Sequence, residues 1–177
     1  MLPKRTIVLG GARSGKSSFA ERLVESYGKS KAYIATAQAF DDEMRRRITD
    51  HKNARDAGWR LIESPMNATD AFAGIAADEV VLLDCATLWL SNQMLAETDL
   101  NAACTALLAA IDACAGHVVT VSNEVGLGIV PENALARRFR DEQGILNQRL
   151  AAQANLAVFV AAGLPLVLKG TLPEGFL

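Results

Sequence analysis

Eight consecutive residues carry the clearest chemistry in this chain. Gly10-Gly11-Ala12-Arg13-Ser14-Gly15-Lys16-Ser17 fit G-x-x-x-x-G-K-[ST] with nothing missing. Glycines there let backbone N–H groups curl around phosphate oxygens, and a following helix adds positive potential at its N-terminus. Lys16 would reach the β- and γ-phosphates of a nucleotide, and the Ser17 hydroxyl would sit on Mg2+. A glycine-rich turn that merely packs a strand on a helix has the same spacing. The complete motif, set between an apolar strand and a helical pattern, favours phosphate binding. The expected ligand is a nucleoside triphosphate.

Asp84 is the natural second partner for that ion. It ends the apolar run Val80-Val81-Leu82-Leu83, and phosphate-loop enzymes hold Mg2+ with the loop Ser/Thr and an acid on such a strand. The competing role is an N-cap for the next helix, which Asp also serves well.

His51 is one of only two histidines. It falls in a polar helical pattern over residues 41–57, four residues after Arg47 and four before Arg55, so two guanidiniums share its face. Spacing alone leaves two roles open: a solvated helix with an incidental histidine, or a neutral nucleophilic imidazole beside arginines that hold polyphosphate. His117 opens an apolar strand, and strand N-termini face away from the ligand crevice of a parallel sheet. A structural role is expected for it.

The elements that must position these groups alternate along the chain. Apolar runs at 6–9, 31–36, 59–63, 80–84, 117–122, 156–161 and 164–169 predict strands. Helical patterns fall at 16–26, 41–57, 68–77, 87–96 and 100–115, and from Pro131 to about 155, with Pro131 suited to the first turn. Within 41–57, Asp42/Arg46 and Glu43/Arg47 are i,i+4 pairs with the acid first, each adding roughly 0.2–0.5 kcal/mol. Strands apolar on both faces and separated by helices imply a mostly parallel sheet with helices on both sides. With 177 residues, no linker and no internal repeat, one domain over 1–177 is expected.

Composition excludes several classes. A net charge of −2 argues against a nucleic-acid-binding surface, and 6% aromatic residues leave little for base stacking. Cys85, Cys104 and Cys114 are odd in number and unclustered, which suits reduced thiols rather than disulfides or a CxxC zinc site. Apolar stretches are too short for a signal peptide or a membrane span, so a cytoplasmic protein is expected.

Beyond the phosphate loop, further segments resemble one family. They are Tyr33-Ile34-Ala35-Thr36-Ala37, Asp41-Asp42-Glu43-Met44 with Arg47-Ile48 and His51-Lys52, and Trp59-Arg60 with Glu63. The run Asn123-Glu124-Val125-Gly126-Leu127-Gly128-Ile129-Val130-Pro131-Glu132-Asn133 is the most specific; Leu135-Ala136-Arg137, Phe139-Arg140-Asp141 and Asn147-Gln148-Arg149-Leu150-Ala151 complete the set. Together they resemble the bifunctional adenosylcobinamide kinase/adenosylcobinamide-phosphate guanylyltransferases of cobalamin biosynthesis, over nearly the whole chain.

The resemblance implies a RecA-like P-loop fold, and ATP and/or GTP as substrates with Mg2+. It implies phosphorylation of the aminopropanol hydroxyl of adenosylcobinamide. GMP would then pass from GTP, through a covalent GMP–histidine intermediate on His51, to adenosylcobinamide phosphate. It further implies that Ala35, Thr36, Ala37, Lys52, Asn53, Ala54, Arg55, Glu63 and Asp84 line the GTP site, with Glu63 accepting from a guanine edge, and that the protein is a homotrimer. Asp84 stands where relatives can carry Glu, and Asp50 where some carry a second histidine. Rival expectations are a simple small-molecule kinase without guanylyl transfer, or a GTP-dependent switch.

Overall fold

The computed structural model describes residues 3–28, 30–38 and 58–176. The expected helix over 41–57, with its ion pairs, His51 and Lys52 to Arg55, lies outside them.

Among the described residues the strands are β1 (Arg5–Gly10), β2 (Ser30–Ala35), β3 (Trp59–Glu63), β4 (Glu79–Asp84), β5 (His117–Asn123), β6 (Leu156–Ala161) and β7 (Leu164–Lys169). They join one sheet in the order β3-β2-β4-β5-β1-β6-β7. Every neighbouring pair is parallel except β6/β7, a hairpin turned at Ala162-Gly163. Helices α1 (Lys16–Glu25), α2 (Ala68–Ala73), α3 (Ala86–Leu95), α4 (Leu100–Ala113) and α5 (Ala134–Gln153) supply the connections.

Period-two alternation divides the strand side chains between two cores. Val8, Val80, Leu82, Val119, Val121 and Val158 pack with Phe19, Ala20, Leu23 and Val24 of α1. Ile7, Leu9, Ile34, Val81, Leu83 and Val118 face the other way, toward Trp89 and Leu90 of α3, Leu107 and Ile111 of α4, and Leu146 and Leu150 of α5. Central strands buried on both faces have no polar side to show, which is why they read as continuous apolar runs.

Capping chemistry moves several boundaries. α5 begins at Ala134 rather than Pro131, because the Asn133 side chain accepts from the Leu135 and Ala136 amides and takes the N-cap. α2 stops at Ala73, short of residue 77, where Gly74 ends it. α4 stops at Ala113, and Arg5 explains how its end is tolerated. The buried guanidinium donates to the carbonyls of Asp112 (2.8 Å), Cys114 (2.7 Å) and Gly116 (3.0 Å), satisfying groups that a helix C-terminus leaves open. Lys4 donates to the neighbouring Ala115 carbonyl. No helix among the described residues is long and apolar enough to cross a membrane.

Candidate active site

β1 ends at Gly10 and α1 starts at Lys16, so the phosphate loop lies at the carboxyl edge of a strand paired on both sides. Two of its glycines are required by geometry. A Cβ on Gly10 would stand 2.4 Å from Ser14 Oγ and 2.6 Å from the Val160 carbonyl oxygen. Gly15 has φ +91° and would bring a Cβ to 3.2 Å from Gly163 Cα. Ser14 N–H donates to Gly11 O at 3.3 Å, and the Ser14 carbonyl accepts from the Gly163 amide at 2.8 Å. The β6–β7 turn therefore braces the loop from behind. Arg13 and Ala12 are exposed on the loop, with Arg13 itself at φ +54°. Lys16 Nζ donates to Gly11 O at 3.1 Å, bridging the mouth of the loop.

Asp84 ends β4, which is separated from β1 by β5. In register across β3, β2 and β4 stand Glu63, Ala35 and Asp84, placing Glu63 and Asp84 on the same end of the sheet as the loop. The Tyr33 hydroxyl donates to Asp84 Oδ2 at 3.0 Å. The N-cap role considered for Asp84 falls to its neighbour: Cys85 Sγ accepts from the Leu88 amide at 3.4 Å. Burial, then the adjacent Asp84 carboxylate, push the Cys85 thiol up to about 12, against a smaller lowering by the Lys16 ammonium. Asp84 and the loop that carries Lys16 stand at the same carboxyl edge of the sheet, two strands apart. The hard oxygens of Ser17 and Asp84 suit Mg2+, which prefers few protein ligands plus phosphate oxygens. Among the described residues no three His, Cys, Asp or Glu side chains cluster as a metal cage.

Thr36 is fully buried. Its hydroxyl accepts from the Cys85 amide (2.8 Å) and donates to the Cys85 carbonyl (2.7 Å), tying the end of β2 to the start of α3. Asn92 Nδ2 completes the tie by donating to Thr36 O (2.9 Å) and Pro65 O (3.0 Å). Ala35 and Ala37, on either side, are only partly buried. Thr36 therefore frames the crevice, and its hydroxyl is already engaged there.

Sequence reasoning overlooked a buried polar network beside the loop. Ser122 Oγ donates to Asn147 Oδ1 (2.6 Å), Gln143 Nε2 donates to both Ser122 Oγ and Asn147 Oδ1 (2.9 Å each), and Asn147 Nδ2 donates to Asn123 O (3.0 Å). Asn123 N–H donates to Thr87 Oγ1 at 2.7 Å. The signal available was Gln143 and Asn147 at i,i+4, one face of a helix. The network fixes the end of β5, from which the 124–133 segment departs. That segment starts against the phosphate loop, with Glu124 N–H donating to Gly10 O at 3.0 Å. Its far end is held by Arg137 Nη1, which donates to Pro131 O at 2.9 Å and to Glu132 O.

His117 lies at the amino end of β5, its Nδ1 3.1 Å from Pro3 O, on the opposite edge from the loop. Cys85, Cys104 and Cys114 are free and buried.

A mostly parallel sheet with a phosphate loop at one strand's carboxyl edge, and an acid on the strand beyond its neighbour, defines a P-loop nucleotide-binding enzyme of the RecA-like kind. Solved structures agree on the fold. The RadB recombinase superposes with a TM-score of 0.50 at 14% identity, covering 89% of this chain and 74% of that one. An ATPase of a type III secretion system gives 0.52 at 9% identity, covering 93% and 56%.

Within that class, the family described as cobinamide kinase / cobinamide phosphate guanyltransferase matches residues 6–168, and the chain belongs to it. The bifunctional adenosylcobalamin biosynthesis protein CobP of Pseudomonas aeruginosa is 46% identical over 169 residues, covering 94% of this chain and 98% of that protein. The bifunctional adenosylcobalamin biosynthesis protein CobU of Escherichia coli is 41% identical over 179 residues, covering 92% and 98%. This chain is accordingly a bifunctional kinase and guanylyltransferase of adenosylcobalamin biosynthesis.

Proposed function

We propose that the protein phosphorylates the aminopropanol hydroxyl of adenosylcobinamide with ATP or GTP, and then converts the phosphate to adenosylcobinamide-GDP with a second GTP. The observation carrying this reading is the phosphate loop with Lys16 at the same carboxyl edge of the sheet as Asp84, in a chain matched by the family from residue 6 to 168.

In the first step the substrate hydroxyl oxygen bonds to the γ-phosphorus, the bridging oxygen leaves with the nucleoside diphosphate, and the hydroxyl proton passes to solvent. Backbone amides of residues 10–17 and the Lys16 ammonium carry the charge that grows on the phosphoryl oxygens. Mg2+, held by Ser17 and Asp84, would neutralise further phosphate charge when bound. In the second step a His51 ring nitrogen bonds to the α-phosphorus of GTP, pyrophosphate leaves, and the imidazole sheds a proton. A phosphate oxygen of the corrinoid then takes the α-phosphorus, the P–N bond breaks, and the imidazole is reprotonated. Splitting the displacement this way replaces one difficult step by two easier ones.

His51 is favoured as nucleophile because the only other histidine, His117, belongs to the amino end of β5. Lys52, Asn53, Ala54 and Arg55, with Ala35, Ala37 and Glu63, complete the nucleotide site in this reading. The same reading takes the protein as a single domain over residues 1–177, cytoplasmic and homotrimeric. Incubation with α-labelled or γ-labelled GTP tests it. Acid-labile, base-stable label from the α position is expected on the protein and absent in His51→Ala, with γ label on the corrinoid. No covalent label would sink the histidine step, and a light-scattering mass of one protomer would remove the trimer.

A further inference from the structure

The segment over residues 124–133 is apolar where a surface loop is ordinarily polar. Leu127 is 83% exposed, Ile129 98% and Val130 58%, and Leu135 on the first turn of α5 is 53% exposed. Four large, exposed aliphatic side chains within nine residues of sequence concentrate apolar surface on this one segment.

The patch is held from both ends. At its start, Asn123 is fastened by Thr87 and Asn147, and Glu124 by the Gly10 carbonyl at the root of the phosphate loop. Glu124 Oε1 also accepts from the Gly126 amide at 2.6 Å, setting the first bend. At its end, Arg137 grips the carbonyls of Pro131 and Glu132, and Asn133 caps α5. The apolar side chains thus project from a fastened frame that is continuous with the phosphate loop.

The acceptor of this family has a matching shape. A cobinamide is a broad corrin disc with apolar methyl edges and amide arms, and its reacting hydroxyl sits on one flexible arm. That arm must reach a phosphate in the loop, while the disc is too wide to follow it. The disc needs a flat apolar rest beside the loop.

We propose that Leu127, Ile129 and Val130, with Leu135, form the seat of the corrin ring, so that this segment sets acceptor affinity without touching the nucleotide. The inference rests on the proposed function and deepens it. A Leu127→Ser/Ile129→Ser double variant of the full chain tests it against wild type. Cobinamide binding is followed by the corrin's visible absorbance, and turnover by pyrophosphate release.

The expected result is at least a tenfold weaker Kd and higher KM for the corrinoid, a kcat within a few-fold, and an unaltered extent of GMP labelling in its absence. Unchanged corrinoid Kd and KM in an active enzyme would overturn the seat and leave the function standing. A wild-type protein that binds no cobinamide and releases no pyrophosphate would overturn both. A change in solution mass with unchanged corrinoid Kd would show that the patch belongs to a second copy of the chain, and would also overturn it.

Discussion

The Tyr33 hydroxyl donates to Asp84 Oδ2 at 3.0 Å, across the β2–β4 pair. Holding one carboxylate oxygen fixes the direction in which the other points, so Tyr33 positions the proposed Mg2+ ligand without touching substrate. Tyr33→Phe keeps the ring edge against Trp59 and removes only the donor. The Mg2+ concentration for half-maximal kinase rate should rise several-fold. Stability should fall by about 1 kcal/mol. A metal titration beside a denaturant melt checks both, and an unchanged Mg2+ requirement would remove Tyr33 from this role.

Lys16→Ala should depress γ-phosphoryl transfer and GMP transfer together, each by about a hundredfold or more, the scale at which a lost oxyanion donor is felt. The two half-reactions share their phosphate contacts in the proposed function. A variant crippled in one and normal in the other would imply two separate nucleotide sites.

Gly15→Ala forces a Cβ onto a residue at φ +91° and against Gly163. Strain of roughly 1–3 kcal/mol is expected, and the loop amides should turn out of line. Titration with a fluorescent nucleotide should show at least a tenfold loss of affinity, whereas Gly11→Ala, where a Cβ meets nothing, should be far milder.

Asn147→Ala strands three partners on two elements: Ser122 and the Asn123 carbonyl on β5, and Gln143 on α5. Leaving buried polar groups unsatisfied costs about 1–3 kcal/mol apiece, so a fall of several degrees in Tm is expected. Because the network also fastens the start of the 124–133 segment, corrinoid KM should rise with it.

The Cys85 thiol, raised from 9.0 to about 12 chiefly by burial and next by Asp84, predicts an alkaline limit. Below its unfolded value the thiol is neutral in both states and its contribution is complete. As pH rises through 9 the unfolded chain ionises first and the folded one resists, so stability declines between about 9 and 12. Cys85→Ser should flatten that part of a stability–pH profile. At pH 8 the native protein should react slowly with iodoacetamide, and rapid labelling of Cys85 would contradict its burial.

Much of this architecture was legible because its determinants are local. Ile7 to Leu9 and Val80 to Leu83 are apolar at every position, and that alone marks a strand covered on both faces. The phosphate loop was legible for the same reason, since eight adjacent residues contain its whole requirement. What could not be seen depends on partners distant in sequence. Nothing in the sequence singles out Arg5 until the sheet carries it under the end of α4, where open carbonyls need a donor. Gln143 and Asn147 look like solvent-facing helix residues until Ser122 meets them. Pro131 was a reasonable helix opener, and only the cap made by Asn133 shows why the helix waits three residues.

The bond between the Gly163 amide and the Ser14 carbonyl joins two turns far apart in sequence. Its consequence is one of timing. The phosphate loop follows β1, whereas its brace is made only once β6 and β7 have been added, well over a hundred residues later in the sequence. A chain arrested before the β6–β7 hairpin would carry every residue of the nucleotide motif and still lack the backing that shapes it. The shape of the nucleotide loop therefore depends on a hairpin made after it, and removing β6–β7 should weaken nucleotide binding with every motif residue still in place.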